Sequence, residues 1–142
     1  MEPHCQVDFY VLARPTQSSG QFVCRLAMMA WEQGHQILVR TENREEADRL
    51  DEMMWDYPPG RFLPHDQGDD AHCPVTIATR DDAIPEHRNL VINLCIEPVP
   101  EPENLKRLCE IVPAEPSQRS ASRDKFRVYR DLGLAPETHT IG

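Results

Sequence analysis

Short apolar runs separated by helix-length stretches constrain this chain more than any single motif. Gln6 to Leu12 (QVDFYVL) is β-rich and is broken by ARPTQSSG; QFVCRLAMMAWEQG then has helical spacing, with Gly34 at its stop. His35 to Thr41 is a second apolar strand, followed by a charged helix from Arg44 to Tyr57 that Pro58, Pro59 and Gly60 terminate. Pro74 to Thr79 and Asn89 to Cys95 read as further strands on either side of the polar RDDAIPEHR. After the Pro-rich EPVPEPEN, Leu105 to Val112 reads as a helical turn running into a last strand. PAEPSQ then leads into a final helix with Ser117 as N-cap and Gly133 as stop. This alternation predicts an α/β fold: a single three-layer α/β/α Rossmann-like domain over residues 1–142, with a central, mostly parallel sheet of about five strands.

A chain of 142 residues buries roughly two thirds of its unfolded surface, so it needs no staples to hold a core. The five cysteines are an odd number, and Cys24, Cys95 and Cys109 sit in apolar segments; all are read as reduced thiols. The N-terminal MEPHCQVDFYVL lacks the basic start of a signal peptide, and no stretch approaches the roughly 18 apolar residues of a membrane span. A cytoplasmic protein without membrane contact is expected.

Cofactor and catalytic signatures are weak. The first strand-to-helix turn, ARPTQSSGQF, carries one glycine, so it matches neither the dinucleotide fingerprint nor a P-loop, and no cofactor is expected. His65, His72 and Cys73 share a loop, but their spacing fits no zinc signature, and Asp66, Asp69 and Asp70 read as ordinary loop acids. Nothing in that acidic loop would activate Cys73 as a nucleophile. Asp51 and Glu52 are adjacent on a helix and do not face each other. Neither a metal site nor a catalytic site is expected.

Charge distribution is more informative. Ser117 to Arg130 (SQRSASRDKFRVYR) carries +4, whereas the rest of the chain carries −13, against a formal net charge of −9. At about 100° per residue, Arg119, Arg123, Arg127 and Arg130 fall on one arc of the final helix, Phe126 on its border, and Ala121, Val128, Tyr129 and Leu132 on a separate face taken as the core side. Lys125 falls near that core side, a misfit for a charged residue. A solvated face with Arg127 and Arg130 complementing the helix dipole is one reading. The other is a site for an acidic peptide that ends in an apolar residue and a free carboxylate, since guanidinium forks pair with carboxylates. A further alternative is a small nucleic-acid- or nucleotide-binding α/β protein using the same arginines; the −13 remainder and the missing phosphate loop oppose it. On the acidic helix, Trp55 lies about 100° from the apolar stripe of Ala47, Leu50, Met54 and Tyr57, with Phe62 soon after in a loop. The pair is either an exposed aromatic anchor for a partner or is buried by that loop folding back.

VDFYVL in the first strand, RLDEMMWDYPPGRFLPH through the second helix and its exit, and RDKFRVYRDLGL near the end together resemble the chi subunit family of bacterial DNA polymerase III holoenzyme. The resemblance runs from about Val7 to Leu134. It implies a non-catalytic accessory subunit of the clamp-loader complex that bridges the psi subunit to the acidic C-terminal tail of single-stranded DNA-binding protein during replication. It places tail binding at Arg119, Arg123 and Arg127, with Phe126, Tyr129 and Arg130 beside them, and contact with psi, or with a repair helicase competing for the same surface, at Trp55 and Phe62. No direct DNA binding is expected, since the −13 remainder of the chain opposes it.

Overall fold

A computed structural model describes residues 5–142. Seven parallel strands form one sheet: β1 (Gln6–Leu12), β2 (Ile37–Thr41), β3 (His65–Asp66), β4 (Val75–Thr79), β5 (Leu90–Asn93), β6 (Arg107–Val112) and β7 (Glu137–Ile141), in the spatial order β3-β4-β2-β5-β6-β1-β7. The sheet thus has seven strands rather than about five. The extra two are its edges, a two-residue β3 and the largely exposed β7. Every residue of β2, β4 and β5 is buried, as expected where both faces of a parallel sheet are covered.

Helices α1 (Ser19–Glu32) and α2 (Arg44–Asp56) pack on one face, where Val23, Ala27, Ala47, Leu50 and Met54 meet Ile37, Val39, Ile77, Ile92 and Ile111. Helix α3 (Pro116–Asp131) lies on the other face with Phe9, Leu108, Val112 and Tyr129. The chain moves one way across the sheet from β1 to β2 and the other way from β6 to β7, so right-handed crossovers place these helices on opposite faces. Over β2, β4 and β5 the second face is closed by loops, through Ile84, Val99 and Leu105.

Local chemistry fixes the helix ends. Ser18 and Asn43 cap α1 and α2 by accepting from Gln21 N and Glu46 N. Gly34 and Gly133 have φ of +87° and +89°. Each closes a Schellman turn: His35 N–H donates to Ala30 O, and Leu134 N–H to Tyr129 O, both at 3.1 Å. At the start of α3 the expected cap is shifted. Glu115 occupies the N-cap without a side-chain bond, Pro116 takes the first helical position, and Ser117 lies inside the first turn.

Candidate functional site

Helix α3 is fixed to the sheet by two buried polar anchors in addition to the packing of Phe126 and Tyr129 on Phe9. Lys125, 3% exposed, donates from Nζ to Glu110 Oε1 at 2.7 Å and to the Cys95 carbonyl at 2.8 Å. Tyr129 is fully buried, donates to Glu110 Oε2 at 2.5 Å and accepts from Val99 N at 2.9 Å. Asn93 Nδ2 supplies a third bond to Glu110 at 2.9 Å, and Arg40 reaches Asn93 Oδ1 at 3.2 Å. Burial and then the Glu110 carboxylate raise the Tyr129 pKa, so the phenol stays a donor. The buried face of α3 is therefore set by Lys125 and Tyr129. Val128 and Leu132, placed on the core side by their apolarity, are instead 42% and 55% exposed. Tyr129, expected beside a bound peptide, lies beneath the surface and can only position the helix above it.

One flank of α3 and the β1–β7 edge enclose a shallow groove of about 370 Å³. Phe9, Val11 and Val112 form its apolar floor, and Arg119, Arg123, Phe126 and Thr138 stand around it. Phe126 is half-buried against Phe9, their ring centroids 5.4 Å apart, so one face of its ring is left to the groove. Arg127 pairs with Asp124 at 3.4 Å and Arg130 lies 3.8 Å from Asp131, and neither lines the groove; among the described residues no carboxylate pairs with Arg119 or Arg123. The arginine arc is thus divided into two free guanidiniums at the groove and two held by neighbouring acids. Two free guanidiniums at the lip of an apolar slot suit a carboxylate attached to an apolar side chain. The floor residues are not apparent from the helix alone. Val7, Phe9 and Val11 alternate onto one face, but that this face meets α3 is decided by strand order.

A second surface lies on the opposite side of the sheet. Trp55 and Phe62 are 59% and 55% exposed with ring centroids 5.5 Å apart. The loop after α2 does fold back, through a cis Tyr57–Pro58 bond, but it buries Leu63 and leaves Phe62 outward. His65 props Trp55 edge-on at 4.9 Å, its Nε2 2.9 Å from Asp51 Oδ1 and its Nδ1 2.7 Å from the Leu63 carbonyl. Its side chain is fully buried, so the histidine of Phe-x-Pro-His acts as a strut and both ring nitrogens are occupied. Cys73 contacts the Val75 carbonyl at 3.4 Å, and burial raises its thiol pKa.

Fold and surfaces together define a parallel three-layer α/β module that displays one arginine-rimmed groove and one aromatic pair. The profile of the family described as DNA polymerase III chi subunit, HolC, matches residues 5–137, and the chain belongs to this family. It is 36% identical over 138 residues to the DNA polymerase III subunit chi of Pseudomonas aeruginosa, covering 96% of both chains. It is 29% identical over 140 residues to that of Escherichia coli, covering 93% of this chain and 95% of the other. In Haemophilus influenzae the corresponding subunit is 25% identical over 139 residues, covering 95% and 96%. The crystal structure of T4 UvsW superposes with a TM-score of 0.68 at 5% identity over 99% of this chain and 42% of that one, a likeness of fold. The protein is a replication accessory subunit of DNA polymerase III. No helix among the described residues is long and apolar enough to cross a membrane.

Proposed function

We propose that this subunit is a non-catalytic adaptor in the cytoplasm that bridges the clamp loader, through the psi subunit, to the acidic C-terminal tail of single-stranded DNA-binding protein. The groove beside α3 is the observation that carries this reading: two free guanidiniums, Arg119 and Arg123, border an apolar floor of Phe9, Val11 and Val112. A tail ending in an aromatic residue and a free carboxylate would place its ring against Phe126 and its carboxylate between the arginines. The surrounding −13 charge repels bare nucleic acid at long range and confines an anionic partner to this face. Arg127 and Arg130, one to three turns farther along the same arc from the groove arginines, do not line the groove and serve as the approach for upstream acids of the tail. Trp55 and Phe62, on the opposite face, remain free to hold psi, or a competing repair helicase, while the tail is bound.

Titration with a fluorescent peptide copying about the last ten residues of the host's single-stranded DNA-binding protein tests this. Saturable binding in the micromolar class, weakened by salt and lost when the terminal carboxylate is amidated, is expected. Equal binding of the amidated peptide would reject the carboxylate site.

A further inference from the structure

Strand alternation puts the groove on one face of the β1–β7 edge and a different set of side chains on the other. Asp8 pairs with Glu137 and Tyr10 with His139 across the parallel ladder, and Gln6 pairs with Arg107 on the other side of β1, so these side chains share the face opposite Phe9 and Thr138. Asp8 is 1% exposed. Its Oδ2 accepts from Gln6 Nε2 at 3.0 Å and Arg107 Nε at 3.2 Å, while its Oδ1 faces His139 Nε2 at 2.8 Å. The His139 ring stacks on Tyr10 with centroids 5.2 Å apart and planes 25° from parallel, and Arg107 also donates to the Tyr10 hydroxyl at 2.5 Å. One donor atom from each of Asp8, Glu137 and His139 lies within 4.8 Å of the other two.

We propose that Asp8, Glu137 and His139 bind a divalent transition-metal ion, zinc by their donor set, which clamps edge strand β7 to β1. One imidazole and two carboxylates form a mixed N/O set, whereas Mg²⁺ and Ca²⁺ prefer oxygen alone. Three protein donors leave a fourth tetrahedral position for water. Donors around tetrahedral zinc stand about 3.3 Å apart, so the Asp8–His139 contact has to open by about half an ångström, which a side-chain rotation supplies. Gln6 and Arg107 occupy only the far oxygen of Asp8. They hold the carboxylate with Oδ1 toward the site, which is the task of outer-shell partners in metal centres. With Arg107 counted, the cluster keeps one net negative charge to meet the cation. The sequence hides the site because Asp8 and His139 lie 131 residues apart.

An ion here has a structural consequence. Strand β7 has one neighbour and is largely exposed, so a side-chain link to β1 would hold it in register. Thr138, between the two β7 ligands, lines the groove on the opposite face, so the ion would also fix that wall.

The test is titration of the chelator-stripped full-length protein with Zn²⁺ against a chromophoric chelator, with thermal unfolding in parallel. One equivalent per chain and a raised Tm are expected. His139→Ala should abolish binding. Glu137→Gln, which keeps the Asp8–His139 contact, should weaken it more than tenfold, and Gln6→Ala about tenfold. The double variant His72→Ala/Cys73→Ser should leave it unchanged, which separates this site from adventitious binding at the thiol loop. Absence of saturable binding, or binding unchanged in both Glu137→Gln and His139→Ala, would overturn the proposal.

Discussion

The least expected support of the groove is Lys125, and replacing it with methionine tests whether a buried charge pair holds α3 in place. Glu110 is fully buried and receives Lys125 on Oε1 and Tyr129 and Asn93 on Oε2. Methionine keeps most of the aliphatic volume of Lys125 but leaves the carboxylate facing two neutral donors, with the Cys95 carbonyl keeping only the longer 3.5 Å contact from Asn93 Nδ2. Removing one member of a buried ion pair costs about 3–5 kcal/mol, a large share of the roughly 5–15 kcal/mol that holds a domain folded. At a urea slope of about 2 kcal/mol per molar, the unfolding midpoint should fall by about 1.5–2.5 M. The double variant Lys125→Met/Glu110→Gln removes both charges and should recover about 1–3 kcal/mol of the loss. The assay is urea unfolding followed by far-UV circular dichroism at neutral pH. A single variant costing under about 1 kcal/mol, or a double variant no more stable than the single, would refute the reasoning.

Four further outcomes follow from the same geometry. Arg123→Ala should weaken tail-peptide binding by about 1.5–3 kcal/mol, measured by fluorescence titration, because its guanidinium is free to pair with a carboxylate; unchanged affinity would remove it from the site. Trp55→Ala and Phe62→Ala should abolish capture of the psi subunit in pull-downs while leaving peptide affinity intact, and thermal stability should move little because both rings are exposed. Burial raises the thiol pKa of Cys5 and Cys24 to about 11 and of Cys95 and Cys109 to about 12, so a thiol reagent should reach Cys73 first and the other four only on unfolding. The fold keeps these protons where the unfolded chain loses them. Stability is therefore intact below the ordinary thiol value of 9.0 and declines as pH rises from there toward 11, which urea midpoints at alkaline pH would show.

Sequence reasoning succeeded where burial and apolarity coincide. β1 runs from Gln6 to Leu12 as read, and β2, β4 and β5 fall inside the expected runs, because central parallel strands must be apolar on both faces. Reading α3 succeeded only in part: Tyr129 is buried as placed, but Val128 and Leu132 are not. The sheet beneath it carries Glu110, Asn93 and Arg40, so a lysine and a tyrosine face inward while Val128 and Leu132 face solvent. Helical periodicity finds the apolar stripe, and here that stripe is not the core. β7 was missed because an edge strand with one partner needs no apolar pattern, and Glu-Thr-His-Thr-Ile offers only one aliphatic residue. Of the candidate sites, Arg119, Arg123 and Phe126 were legible from charge and helical angle, whereas the pattern left Trp55 and Phe62 open between exposure and burial. Phe9, Val112 and Thr138 were not legible, since strand order alone brings them under α3.

Two-site bridging is tested most directly by sequential capture on single-stranded DNA coated with its binding protein and held on a sensor surface. This subunit should bind the coated strand, and psi added afterwards should raise the signal further without releasing it. Arg123→Ala should reduce the first step, and Trp55→Ala only the second. Psi displacing the subunit from the strand, or one substitution removing both steps in a folded protein, would contradict the account of two independent surfaces.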